Sequence, residues 1–280
     1  MPASKICFQG ELGSNSHEAC KEHFPELEPV PCATFEDAFD AMKSGQCGLG
    51  MIPVENSIAG RVGDVHHLLP RSGLTIIGER FKPIHFQLMV NPGAKAQDLK
   101  TVASHVMALG QCRKALKRLG VRAEIASDTA GAARELAERP DPSRGALAPA
   151  LAAELYGLDI IERDVEDEHH NTTRFLVMTA NGERPRADAE RWVTSFVFRV
   201  RNVPAALYKA MGGFATNGVN MTKLESYMEG GRFTATLFYA DVDGRPEDKN
   251  LTLAFEELGF FCERFEVLGV YPADPFRFKA

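Results

Sequence analysis

The sequence predicts an α/β protein in two parts: a two-lobed domain on a mostly parallel sheet, then a smaller domain with the ferredoxin-like order βαββαβ. Three observations carry this prediction. Short apolar runs alternate with amphipathic segments through residue 178, with polar residues at the ends of the runs, a pattern that implies right-handed crossovers between parallel strands. Longer apolar segments at 74–81 and 84–90, joined by Lys82-Pro83, and the stretch 160–178 read as passes of the chain between two lobes flanking a cleft. Residues 180–190 are polar, with Gly182, Pro185 and several charges, and read as a linker. Beyond them the pattern becomes two amphipathic helices among four strands. The expected divisions are 1–180, a linker 181–191, and 192–280.

Ile6-Cys7-Phe8 is the first strand, ending in Gln9-Gly10-Glu11-Leu12-Gly13-Ser14-Asn15-Ser16, after which His17-Glu18-Ala19-Cys20 is helical. Gly10 and Gly13 permit close backbone approach, and Ser14, Asn15 or Ser16 can cap the helix. First-turn N–H groups favour an anion; the other reading is a plain strand-to-helix turn. GxGxxG is absent, so this is no dinucleotide fingerprint. Thr34 caps a helix over 35–42 whose apolar face is Phe35, Ala38, Phe39 and Met42. A strand at 47–52 then delivers Glu55-Asn56-Ser57 just past its end, where α/β sheets place ligands. Glu55 can accept from a ligand hydroxyl and Asn56 and Ser57 can donate; Asn56 or Ser57 can equally cap a helix running towards Leu69. On that helix His66 and His67 diverge by about 100° and make a poor metal pair, so a structural or surface role is expected.

Residues 101–104 form a short strand, and Leu109, Cys112, Leu116 and Leu119 mark one helix after it. Ser104 and His105 fall at this junction, a second place for ligand contacts. A strand at 123–126 precedes Ser127-Asp128-Thr129, which caps a helix over 130–138; 145–148 is a buried strand and Pro149 opens the next helix. In the last part, 192–200 alternates as a strand and Pro204 opens a helix with Leu207, Met211 and Phe214 on its apolar face. Strands at 219–227 and 233–240 flank the turn Glu229-Gly230-Gly231-Arg232, and Leu251, Phe255 and Leu258 mark a second helix before a strand at 265–271.

Composition narrows the function. The net charge of -6 over 280 residues gives no general reason to bind nucleic acid or an anionic membrane. No apolar stretch reaches 18 residues and the N-terminal residues lack a basic region followed by an apolar run, so neither a membrane span nor a signal peptide is expected. The 6 cysteines lack CxxC spacing, which reads as reduced thiols in a cytoplasm and as no zinc site.

His169-His170-Asn171-Thr172-Thr173-Arg174-Phe175 runs into the apolar Leu176-Val177-Met178. Two hydroxyls, an amide, a fixed cation and an aromatic ring at a strand mouth suit an anionic small molecule; the alternative is a strand entrance with an exposed Arg. Taken together with Gln9–Ser16, Ile52-Pro53-Val54-Glu55-Asn56-Ser57, Ser104-His105, Gln111-Cys112 and Asp128-Thr129-Ala130, this cluster resembles the prephenate dehydratase family, and the resemblance spans nearly the whole chain. The C-terminal part resembles the amino-acid-sensing ACT domain: Pro204-Ala205-Ala206-Leu207-Tyr208 stands at the family's glycine-alanine-leucine-valine motif and Leu224-Glu225-Ser226-Tyr227-Met228 at its glutamate-serine-arginine-proline motif. Ala205 replaces a usual glycine, Tyr227 and Met228 replace Arg and Pro, and Val106-Met107 replaces a usual Pro-Gln.

The resemblance implies a type II periplasmic-binding-protein-like catalytic domain that turns prephenate into phenylpyruvate, water and carbon dioxide without metal or organic cofactor, because ring aromatisation drives the elimination. It implies Thr173 as the residue assisting departure of the ring hydroxyl, Arg174 as a carboxylate clamp or a brace between strands, and Phe175 as an apolar wall. Asn56, Ser57, Ser104 and Thr129 become candidate donors to substrate oxygens, with Ser16, Asn171 and Thr172 as further candidates; Glu55 and His105 become groups that orient the hydroxyl or tune Thr173. It implies phenylalanine as effector, bound near Ala205, Ala206, Leu207, Leu224, Glu225 and Ser226 at a subunit interface, in a homodimer or homotetramer. Arogenate as substrate, or a non-catalytic amino-acid-binding sensor, are the rival readings.

Overall fold

A computed structural model describes residues 4–168, 170–182, 188–228 and 235–278. In chain order the elements are β1 (Lys5–Gln9), α1 (Asn15–His23), β2 (Glu28–Cys32), α2 (Phe35–Lys43), β3 (Leu49–Asn56), β4 (Gly60–Arg61), α3 (Gly63–Leu68), β5 (Thr75–Pro83), β6 (Gln87–Val90), β7 (Thr101–Ser104), α4 (Val106–Gln111) and α5 (Arg113–Leu119). There follow β8 (Arg122–Ile125), α6 (Thr129–Glu138), β9 (Arg144–Ala148), α7 (Ala150–Tyr156), β10 (Asp159–Glu162), β11 (Thr172–Thr179), β12 (Trp192–Val200), α8 (Ala206–Thr216), β13 (Met221–Met228), β14 (Ala235–Asp243), α9 (Lys249–Phe261) and β15 (Cys262–Pro272). Two compact units result, one of Met1–Val62 with Arg80–Phe175, the other of Gly63–Glu79 with Leu176–Ala280.

The first unit is two-lobed. One lobe orders its strands β2-β1-β3-β11, with β1 parallel to β2 and β3. The other orders them β8-β7-β9-β6-β10, where β7 is parallel to β8 and β9 and only β6 is reversed. Each sheet thus places its first strand between the second and third and inserts a crossing strand, β11 or β6, beyond them. That is the type II binding-protein arrangement the sequence leads one to expect. Cleft-facing polar residues follow from it, because parallel strands all end on the same side. The second lobe's core joins Leu88, Val90, Val102, Leu109, Leu116 and Leu147, while small Ala133, Ala146, Ala148 and Ala152 allow α6 and α7 to lie close against β9.

The second unit has the order β12-α8-β13-β14-α9-β15 and an antiparallel sheet β13-β14-β12-β15, which is ferredoxin-like. Its core is aromatic: Phe196, Phe198, Phe214 and Phe238 with Leu251 and Leu258. β15 continues into a parallel pairing with β5 at Gly269–Ile76, and a Cβ on Gly269 would stand 2.1 Å from the Ile76 carbonyl oxygen, so no other residue fits.

Three expectations need correction. The strand β2, Glu-Pro-Val-Pro-Cys, escapes the sequence reading because it carries two prolines; it survives because it lies at a sheet edge. β3 does not stop at residue 52 but runs through Pro53 to Asn56 and turns back into β4, so the Asn56 side chain caps that turn, accepting from Ile58 and Ala59 N–H, and no helix. The single helix expected over 109–119 is two, α4 and α5, because the Asp167 carboxylate accepts from Arg113 and Lys114 N–H and starts a new helix there. The structural or surface role expected of the two histidines holds: His66 is buried, 2.6 Å from the Tyr227 hydroxyl, and His67 is exposed. The turn expected at 229–232 and the flanking His169 lie outside the described residues.

Candidate active site

The first unit encloses a cleft of about 330 Å³ lined from several elements: Gln9, Gly10 and Ser14–Ser16 from the β1–α1 turn, Asn56 and Ala59 after β3, Ile84 and Phe86 between β5 and β6, His105, Met107, Ala108 and Gln111 of α4, Ser127–Thr129 before α6, and Asn171 and Thr173 of β11. A larger hollow of about 720 Å³ is lined by Glu18, Lys21, Glu22 and Lys82 among others. Its Lys82 already pairs with Glu18 and Glu22 at 3.2 and 3.1 Å, and none of the candidate residues reaches it. The smaller cleft is therefore the candidate site.

Thr173 sits at the end of an amide relay. The Asn56 side-chain nitrogen donates to Asn171 Oδ1 at 2.7 Å and to Thr173 Oγ1 at 3.0 Å. Asn171 Nδ2 donates in turn to Gln111 Oε1 at 2.7 Å. The orientation of Asn56 is fixed because its oxygen accepts two backbone N–H groups, at 3.0 and 2.8 Å. With a lone pair of Oγ1 engaged, the Thr173 O–H is left to donate into the cleft. Hydrogen bonding to the hydroxyl oxygen polarises that O–H and strengthens it as a donor. His105 caps α4 with Nδ1, which accepts from Met107 N–H at 3.3 Å. A neutral ring accepting at Nδ1 carries its proton on Nε2 and offers a second donor.

The opposite wall is the β1–α1 turn. Gly10 and Gly13 have φ of 114° and 89°, and a Cβ on Gly13 would come within 2.9 Å of Ala152 Cα. The buried His17 locks this turn by accepting from Gly13 N–H at 2.9 Å and stacking on Phe8. Burial, and then Lys21, push the imidazole below its usual titration range, which keeps the accepting form. Ser14 caps α1 and Asp128 caps α6, the latter accepting from Gly131 N–H at 2.7 Å. First-turn N–H groups of both helices border the cleft, and such ends attract anions. Asn15 Oδ1 is a buried acceptor with no hydrogen-bond partner among the described residues. Among the described residues no Lys or Arg lines the cleft, and Asp128 is its one carboxylate.

Ser16, Asn56, His105, Thr129, Asn171 and Thr173 thus come together as candidates. Others do not. Ser104 is buried, its hydroxyl donating to the Leu147 carbonyl at 2.6 Å, so it braces β7 against β9 and cannot reach a substrate. Arg174, 2% exposed, pairs with Glu55 at 2.9 Å between β11 and β3; both are braces outside the cleft lining. Alternation along β11 explains this, because neighbours of Thr173 point to the opposite face. Phe175 is buried in the core, and the apolar wall is made by Ile84 and Phe86 instead. Ser57 and Thr172 stitch the two strands: Thr172 N–H donates to Ser57 Oγ, which donates to the His170 carbonyl, both at 2.9 Å. Sequence reasoning missed Gln9, Gln111 and Phe86 as site residues; nothing short of the tertiary fold brings Gln111 to Asn171, 60 residues away.

Residues 6–183 match the family described as prephenate dehydratase. The chain belongs to the prephenate dehydratase family. Its relatives include a bifunctional N-acyl-homoserine lactone acylase/prephenate dehydratase of Komagataeibacter europaeus, 46% identical over 98% of each chain. Arogenate dehydratase 2 of Petunia hybrida is 35% identical over 96% of this chain and 72% of its own. A solved structure described as a novel type of quorum quenching acylase superposes with a TM-score of 0.89 at 46% identity, covering 97% of this chain and 99% of the other. A prephenate dehydratase from Arthrobacter aurescens in complex with L-Phe superposes at 0.87 with 27% identity, covering 96% and 90%. Members of the prephenate dehydratase family are carbon–oxygen lyases, and among the described residues no helix is long and apolar enough to cross a membrane.

Proposed function

We propose that this chain catalyses the decarboxylating dehydration of prephenate to phenylpyruvate, with the oriented Thr173 hydroxyl as the observation that carries the reading. The C–CO₂ bond breaks, its electron pair enters the ring, and the ring C–O bond breaks with its oxygen hydrogen-bonded by the Thr173 hydroxyl; that oxygen takes a proton from solvent and leaves as water. A threonine hydroxyl is too weak an acid to act alone. It works as a hydrogen-bond donor sharpened by Asn56, an assistance worth about 10²–10⁴-fold. First-turn N–H groups of α1 and α6 and the His105 Nε2–H receive the substrate's carboxylates. Ile84 and Phe86 face the leaving carboxylate and favour its loss as neutral carbon dioxide. Phenylpyruvate formation from prephenate by the purified chain is the test; its absence with intact protein removes the activity.

Arogenate is the second reading, and one observation favours it: a cleft whose described lining has a carboxylate and no fixed cation suits an ammonium-bearing side chain. Turnover of both substrates by the same preparation separates the two, and Asp128→Asn lowers arogenate turnover selectively if Asp128 receives the ammonium.

We further read 1–180 as the catalytic domain, 181–191 as a linker and 192–280 as an ACT domain that binds phenylalanine. The βαββαβ order supports this, as do Ala205–Leu207 at the start of α8 and Leu224–Ser226 on β13. Exposed Tyr208, Met228 and Phe260, at 81%, 60% and 76%, supply apolar surface for a second copy, consistent with a homodimer or homotetramer. Calorimetry with phenylalanine and light scattering test these two statements separately.

A further inference from the structure

Outside the cleft, a histidine meets two carboxylates from a distant part of the sequence in the first unit. His85 lies between β5 and β6; Asp164 and Glu166 lie in the loop after β10. One donor atom from each falls within 4.8 Å of the other two. His85 Nδ1 is 2.7 Å from Glu166 Oε1 and 3.8 Å from Asp164 Oδ1. Three donors held tetrahedrally about 2.0–2.2 Å from one dication stand roughly 3.3–3.6 Å apart. The cluster closes on such an ion as the His85–Glu166 contact opens and Asp164 moves inward.

The two carboxylates are held from behind, as ligands of metal centres are. Glu166 has a side chain 1% exposed, and its second oxygen accepts from Phe86 N–H at 3.0 Å. Gln87 grips Asp164 twice: its Nε2 donates to Oδ1 at 2.9 Å, and its Oε1 accepts from Asp164 N–H at 3.2 Å. Asp164 adopts a left-handed φ of 51°, a conformation that Asp tolerates better than most residues with a Cβ. His85 and Asp164 are about half exposed, which gives an ion access and leaves room for water to complete its coordination.

We propose that His85, Asp164 and Glu166 bind one first-row transition dication of the zinc class. One imidazole with two carboxylates is a donor set for such an ion. The ion fastens the β5–β6 connection to the loop after β10. That loop is wired to the cleft, because Asp167 N–H donates to the Gln111 carbonyl and Gln111 holds Asn171, while Ile84 and Phe86 flank His85.

The test uses the full chain in a Cys262→Ser background, which removes the one cysteine that is not fully buried. Metal-free protein is titrated with Zn²⁺ against a chromophoric chelator, and with Co²⁺ while visible absorption is followed. One equivalent binds, the cobalt form shows d–d bands, and the melting temperature rises with Zn²⁺. His85→Gln and Asp164→Asn, both at exposed positions, each weaken binding at least tenfold and abolish the cobalt bands, while their metal-free melts match the parent. Gln87→Ala weakens binding by about 10–100-fold through loss of the Asp164 grip. No binding, or binding unchanged in both His85→Gln and Asp164→Asn, reduces the cluster to an ion pair and overturns the proposal. Equal competition by Mg²⁺ overturns the assignment to the zinc class.

Discussion

Thr173→Val removes the proposed hydrogen-bond-donating hydroxyl while keeping shape and β-branching. Two quantities follow from the geometry. On stability, Asn56 Nδ2 loses its 3.0 Å acceptor but keeps Asn171 at 2.7 Å, so the cost is one hydrogen bond in a half-buried setting, about 1 kcal/mol. In a chain of this size that moves the melting temperature by about 2–4 °C. On catalysis, the hydroxyl works on a bond that breaks only in the transition state, so kcat falls by about 10²–10⁴-fold, or about 2.7–5.4 kcal/mol, with KM nearly unchanged. Thr173→Ser keeps the O–H and stays within about tenfold of the parent. The assay is phenylpyruvate formation under saturating prephenate, with thermal melts run beside it. A folded Thr173→Val variant within tenfold of the parent kcat refutes the role given to the hydroxyl and with it the purpose of the relay.

Arg174→Gln removes the ion pair with Glu55 that joins β11 to β3 and costs about 1–3 kcal/mol in urea unfolding, less than a fully buried pair because Glu55 is 32% exposed; a cost under about 0.5 kcal/mol would refute its role as a brace between the strands. His17 titrates lower folded than unfolded, so below its ordinary value of 6.5 the unfolded chain binds more protons. Its contribution is complete above that pH and is lost as pH falls through the lowered folded value. His17→Gln, whose amide oxygen can still accept from Gly13 N–H, flattens this part of the stability–pH curve. Ala205 holds a φ of 61°, a strain of about 1–2 kcal/mol for a residue with a Cβ. Ala205→Gly relieves it, raising stability by about 0.5–1 kcal/mol net of the added freedom of the unfolded chain, visible as a higher melting temperature.

Local chemistry made much of the fold legible. Thr34 caps α2 with a full capping box to Asp37, Asp128 caps α6, and Pro149 stands at the start of α7, each where residue type alone places it. The sequence fails where a distant residue overrides a local signal. Asp167 splits one periodic helix into two, and edge position rescues a strand with two prolines. The site divides the same way. Thr173 and Asn56 stand out as polar residues at strand ends, but only the register of β11 shows that Arg174 faces away from the cleft, and only the packing of β7 shows that Ser104 is consumed by the Leu147 carbonyl.

A cleft lined by amides, hydroxyls and helix ends, in a protein of net charge -6, inverts the usual response to salt when its substrate is a dianion. A site built on lysines loses affinity as counterions screen it. Here the attractive groups are short-range dipoles that screening hardly touches, whereas the repulsion felt by an approaching dianion is long-range and fades beyond the Debye length, about 10 Å at 0.1 M salt and 30 Å at 0.01 M. Added salt therefore eases capture of the substrate, and ionic strength becomes a handle on the encounter step alone, separable from the chemistry that follows.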